Sequence, residues 1–109
     1  MAQPARPDRG WREGLNITVT LMQTNSHLSV LIHDQAKKYG DREALIYRKF
    51  GSKKWVSCSW AEFSRTVDIA SNALMALGVE AQENVGVFAQ NCVEYMYCDF
   101  GAWGVRAVT

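Results

Sequence analysis

An α/β fold is predicted for this 109-residue sequence, and three observations carry the prediction. Residues 59 to 78 hold a helical pattern closed by a capping signal at one end and a glycine at the other. Ahead of it, two short β-rich runs flank a glycine turn. Behind it, an apolar run, a helix and a second apolar run follow one another in the order of a parallel βαβ unit. The predicted order is helix, hairpin, helix, strand, helix, strand, and the pattern breaks off in mid-sheet.

The opening stretch, "MAQPARPDRGWREGLNITVTL", holds both prolines of the chain and shows no periodicity, so residues 1 to 25 are read as a disordered leader. It lacks the continuous apolar core of a secretory signal, and Asp8 and Glu13 are out of keeping with a mitochondrial presequence. Met22, just ahead of the first ordered signals, is a candidate for the genuine start. Asn16-Ile17-Thr18 has the spacing of a glycosylation acceptor, which matters only in a secreted chain.

From Ser26 the pattern becomes regular. Leu28, Leu31, Ile32, Ala36 and Tyr39 recur at steps of three and four, the apolar stripe of an amphipathic helix. Lys37 and Lys38 fall near its negative end and Gly40 just past it. "EALIYRK" and "KKWVSCS" then flank "FGS", which predicts a hairpin. Next, Ser59-x-x-Glu62 has capping-box spacing, with the hydroxyl accepting from the Glu62 N–H while the carboxylate reaches back. Trp60, Phe63, Val67, Ala70, Leu74 and Leu77 form the buried stripe that follows, and Gly78 supplies the left-handed residue that ends the helix, with Val79 closing back on it.

"ENVGVFAQ" is short and apolar, and Asn91 after it, with Glu94 three residues on, predicts a buried strand feeding an N-capped helix. That helix, "VEYMYCDFGAWG", is apolar nearly all round, a composition that belongs inside a larger body. "VRAVT" begins the next strand.

Composition excludes several classes. With 12 basic and 11 acidic residues, net charge +1 and 48% hydrophobic content, the chain reads as an ordinary globular one with room for one domain at most. Lys37-Lys38 and Lys53-Lys54 are read as solvated surface, giving no footprint for nucleic acid or an anionic membrane. Glu94 and Asp99 interrupt the most hydrophobic run, so no transmembrane segment is expected. Three cysteines at unpatterned spacing, Cys58, Cys92 and Cys98, point to a reducing cytoplasm and are read as small buried apolar residues. Cys92 and Cys98 lean to different sides of one helix and cannot share a metal, and His27 and His33 have no partner in a ligand frame.

No catalytic, cofactor-binding or metal-binding residue is assigned. Gly86 lies inside a strand and no G-x-G-x-x-G opens the helix, which argues against a dinucleotide turn. Glu62 with Asp68, and Glu94 with Asp99, are explained as caps or helix surface charges.

The segments "HLSVLIHDQAKKYGDREALIYR", "WVSCSWAEF", "ASNALMALGV" and "ENVGVFAQNCVEYMYCDFGAWGVRAVT" together resemble the opening of the adenylate-forming (AMP-binding) synthetases, from about His27 to the end. Acyl-CoA ligases, luciferases and peptide-synthetase adenylation domains are among the members of that family. Ser59-Trp60-Ala61-Glu62-Phe63 matches its "T-[YW]-x-E-[LF]" helix start, Leu77-Gly78-Val79 its "LGV" helix end, and Asn91 with Glu94 its "N-x-x-E". Trp55, the "SW-x-E-F" form and Tyr95 look most like the long-chain fatty acid–CoA ligases. Gln82-Glu83-Asn84, in place of a Pro or Gly turn followed by Asp, and Trp103, in place of a small residue, depart from the pattern.

The resemblance implies that residues 26 to 109 are the incomplete beginning of the N-terminal subdomain of the synthetase fold. It implies a fatty acid substrate for the full-length enzyme, and ATP, Mg²⁺ and coenzyme A, used in two steps through an acyl-adenylate. The family's phosphate loop of the type "T-S-G-T-T-G-x-P-K", its Mg²⁺ glutamate, ribose aspartate and lid lysine do not occur in this sequence. The chain is therefore expected to be an inactive fragment whose main partner is the remainder of the same polypeptide, with no nucleic acid. Two alternatives remain open: a stand-alone small α/β interaction module, which would present its apolar last helix to a partner, and a defunct product that folds poorly.

Overall fold

The computed structural model describes residues 27–109. The leader read for residues 1 to 25, with Met22 in it, lies outside the described residues. In chain order the elements are α1 (Leu28–Tyr39), β1 (Glu43–Arg48), β2 (Trp55–Ser59), α2 (Trp60–Ala76) and α3 (Val93–Gly104).

Local signals set the boundaries. α1 ends where Gly40 takes φ 51° and its N–H reaches the Ala36 carbonyl. The capping box at the start of α2 forms in full: the Glu62 N–H donates to Ser59 Oγ at 3.2 Å, and the Ser59 N–H donates to Glu62 Oε2 at 2.9 Å. At its far end Gly78 takes φ 90°, and the N–H groups of Gly78 and Val79 return to the carbonyls of Met75 and Leu74 at 3.0 and 3.1 Å. This is a Schellman closure, satisfying carbonyls the helix end leaves open.

β1 and β2 pair antiparallel in a two-stranded sheet, with Leu45 opposite Cys58, Tyr47 opposite Val56 and Arg48 opposite Trp55. Alternation turns Tyr47 and Cys58 toward the helices and leaves Ile46, Arg48 and Trp55 outside. The turn joining them is closed by the Ser52 N–H donating to the Lys49 carbonyl at 3.0 Å, with Gly51 at φ 75°.

The core gathers where the three helices and the hairpin meet. Ile32, Cys58, Phe63 and Val67 are its buried centre, ringed by Ala44, Leu45, Tyr47, Trp60, Tyr97 and Phe100. Phe63 stands 5.7 Å from both Tyr97 and Phe100, edge-on to the latter, and Phe100 continues to Trp103 at 4.9 Å. Each such pair adds about 0.5–1.5 kcal/mol beyond the area it buries. α2 and α3 approach closely because Gly101 has no side chain: a Cβ there would lie 2.7 Å from Ala70 Cβ. Ser71 Oγ–H donates to the Gly101 carbonyl at 2.8 Å across the same contact.

Three expectations are corrected. The βαβ unit is reduced to one isolated parallel bridge, Asn84 with Val108. The direction is as predicted, with the Val85 N–H donating to the Val108 carbonyl and the Val108 N–H to the Glu83 carbonyl, both at 2.8 Å. Beyond Val85 the run leaves the bridge and Phe88 is fully exposed, because a parallel strand is held by neighbours and helices on its faces and the described residues offer one partner point. Second, α3 begins one residue after Cys92, which has no side-chain capping bond, so Asn91 is not the cap. Third, the stripes overreach their cover: Leu28 and Leu77, at the extreme turns of α1 and α2, are 61% and 81% exposed.

Candidate functional site

The described residues form two open clefts. The first, about 750 Å³, runs between the hairpin and the start of α3 and is lined by Leu45 to Ser52, Trp55, Gln90 to Glu94 and Met96. The second, about 840 Å³, lies between the start of α1 and the residues after α3, and includes His27, Leu28, Trp103 and Arg106. The first sets Arg48, Lys49 and Glu94 among apolar side chains, and the second sets His27 and Arg106 among apolar ones.

Several residues weighed in the sequence meet new partners. His33 Nε2 lies 2.7 Å from Asp68 Oδ1, tying α1 to α2. The two are 35 positions apart, and nothing local in the sequence signals the pair. His33 Nδ1 is buried without a hydrogen-bond partner, so no hydroxyl completes a Ser/His/Asp relay at this dyad. Glu62 is engaged as the cap, and its carboxyl is held below the ordinary 4.5 by the Ser59 backbone N–H first and the Ser59 hydroxyl second. Glu94 is exposed in the first turn of α3. Asp99 is not the surface charge expected of it, since its Oδ1 is buried without a partner.

The cysteines divide. All three are free, and Cys58 is buried as expected, whereas Cys92 is half-buried and Cys98 is exposed. The reading of all three as buried apolar residues therefore holds for one. Tyr97 Oη–H points to Cys58 Sγ at 3.8 Å, and burial first, then this contact, pushes the phenol well above its usual range and keeps it neutral. Among the described residues no group of three or more His, Cys, Asp or Glu is placed to hold a metal ion, and no helix is long and apolar enough to cross a membrane.

Sequence reasoning also missed a gathering of charge. Lys53 and Lys54 are joined by Arg48 and Lys49, because the turn folds the two strand ends together. Arg48 lies over the Trp55 ring at 5.3 Å from its centroid. Counting charges across the predicted hairpin, rather than along the chain, would have found the cluster.

The described residues form an α/β unit in which a capped helix packs on an apolar helix beside one parallel bridge, an arrangement consistent with a segment of a larger α/β protein. The chain belongs to the AMP-binding enzyme family, whose pattern residues 32–109 match. It is 34% identical over 77 residues to a long-chain-fatty-acid–CoA ligase, heimdall, of Drosophila melanogaster, covering 69% of this chain and 11% of that protein. It is 29% identical over 82 residues to a crotonobetaine/carnitine–CoA ligase of Salmonella arizonae, covering 75% of this chain and 16% of that one. Tyrocidine synthase 2 of Brevibacillus parabrevis is 33% identical over 79 residues, 72% of this chain and 2% of the synthase. The chain thus spans a small part of the length of the relatives it matches.

Proposed function

We propose that these residues are the opening of the N-terminal subdomain of an ATP-dependent fatty acid–CoA ligase, and that the enzyme prefers long-chain acids. In the two-step reaction of such a ligase, the fatty carboxylate attacks the α-phosphorus of ATP, releasing pyrophosphate and leaving an acyl-adenylate. The thiol of coenzyme A then attacks the acyl carbon and AMP departs. ATP, Mg²⁺ and coenzyme A are engaged by segments other than these residues. The part played here is architectural: the capped α2, its closure at Leu77-Gly78-Val79, and α3 packed on it set a platform on which the remainder of the polypeptide assembles. We place the enzyme in the cytoplasm, a reading supported by three cysteines that are all unpaired.

The observation that carries the proposal is the match to the family over residues 32–109, with a CoA ligase of long-chain acids among the relatives. ATP–pyrophosphate exchange tests it. The 109-residue chain alone is expected to give no acid-dependent exchange, and the product of a longer reading frame containing it to give exchange with palmitate above acetate. Exchange by the 109 residues alone would overturn the architectural assignment, and preference for acetate the long-chain one.

A further inference from the structure

We propose that the tip of the β1–β2 hairpin is a peripheral docking element for an anionic lipid bilayer. Four of the chain's 12 basic residues, Arg48, Lys49, Lys53 and Lys54, fall at this tip, and no acidic residue occurs between Glu43 and Glu62. The chain as a whole carries +1, so the tip's charge is local and is balanced elsewhere. All four side chains are exposed, and among the described residues none of them makes an ion pair. The one carboxylate that the adjoining cleft brings to this side of the hairpin is Glu94.

The apolar residues at the tip decide the kind of partner. Phe50, at the turn itself, is 97% exposed, and Trp55 and Ile46 on the outward face of the strands are 68% and 61% exposed. A water-exposed Phe at a hairpin turn, with Lys49 before it and Lys53 after it and an exposed Trp55 nearby, has the residue chemistry of an interfacial anchor. The aromatic rings enter the boundary between headgroups and acyl chains, while the ammonium and guanidinium groups remain at the phosphate level. An anionic surface attracts such a cluster by about fivefold in binding for each cation close to it. A single-stranded nucleic acid would also meet basic and aromatic groups, but it uses a groove that follows its backbone and flat rings for stacking. Here the cleft beside the hairpin brings Glu94, an anion, to the same side, and Ile46 has no ring to stack but does partition into acyl chains.

Flotation of the full chain with lipid vesicles tests the proposal, since bound protein rises with the vesicles and self-associated protein does not. The chain is expected to float with phosphatidylcholine–phosphatidylserine vesicles at about 0.1 M salt and to be released at about 1 M, where screening shortens from about 10 to about 3 Å. Binding to phosphatidylcholine alone should be at least about tenfold weaker. The double variant Lys53→Ala/Lys54→Ala should bind the mixed vesicles about twentyfold more weakly, while Lys53→Arg/Lys54→Arg should stay within about twofold of the parent chain. Phe50→Ser should weaken binding several-fold with all four charges in place, and the circular dichroism of each variant should match the parent's. Equal binding to both vesicle types would overturn the proposal. So would binding indifferent to Lys53→Ala/Lys54→Ala. Capture of a single-stranded DNA probe without vesicle flotation would assign the tip to nucleic acid and overturn the bilayer.

Discussion

Ser59 and Glu62 exchange donors and acceptors at the start of α2, and their geometry couples the helix start to pH. The Ser59 N–H and Oγ–H both donate to Glu62 Oε2, at 2.9 and 3.1 Å, which favours the ionised carboxylate. Its folded pKa lies below the ordinary 4.5, with the backbone bond the leading cause. A depressed carboxylate contributes stability that is present above the unfolded value and is lost as pH falls through the folded one. Ser59→Ala is expected to cost about 1 kcal/mol at neutral pH, read from urea midpoints. The difference between the parent chain and Glu62→Gln should be present at neutral pH and shrink on acidification below the usual carboxylate range. A difference that held constant across that range would show that the carboxylate's charge plays no part.

At the scale of elements, the packing of α2 on α3 is decided at Gly101. A methyl group there meets Ala70 Cβ at 2.7 Å and the Ser71 backbone nitrogen at 3.2 Å, so the helices must move apart. The better helix propensity of Ala is worth about 1 kcal/mol in the opposite direction. Overpacking costs of about 1–3 kcal/mol, together with strain on the Ser71 bond to the Gly101 carbonyl, outweigh it. Gly101→Ala is expected to lower the thermal midpoint clearly, whereas Gly86→Ala, with nothing within 4 Å, should leave it nearly unchanged. Equal effects would show that the contact is not tight.

For the molecule as a whole, the distribution of apolar surface sets its behaviour in solution. Phe88 and Leu77 are almost wholly exposed, Val108, Tyr95 and Met96 are partly so, and the parallel pairing is a single bridge. Each large apolar side chain left in water forgoes about 1.5–3 kcal/mol of burial, and several together rival the roughly 5–15 kcal/mol by which a whole domain is stable. The 109-residue chain is therefore expected to bind hydrophobic dyes and to form soluble oligomers at tens of micromolar, by light scattering after size exclusion. A clean monomer with a sharp melt and no dye binding would favour the stand-alone module over the platform.

The sequence by itself determined where the helices end and how the hairpin runs. The Ser59–Glu62 box, the Gly78 closure and the Gly40 stop act within one turn of chain, through hydrogen bonds and backbone preferences that need no distant partner. The family was legible for the same reason, since its motifs lie at those boundaries. Tertiary structure alone decided which members of each apolar stripe were covered: Phe63 and Val67 rather than Leu77, Cys58 rather than Cys98. It also decided that His33 meets Asp68 across 35 positions, that Gly101 must lack a side chain, and that residues 86 to 90 stay out of a sheet. Burial and strand pairing depend on which surfaces meet, and no periodicity within a single segment encodes the surface it will find.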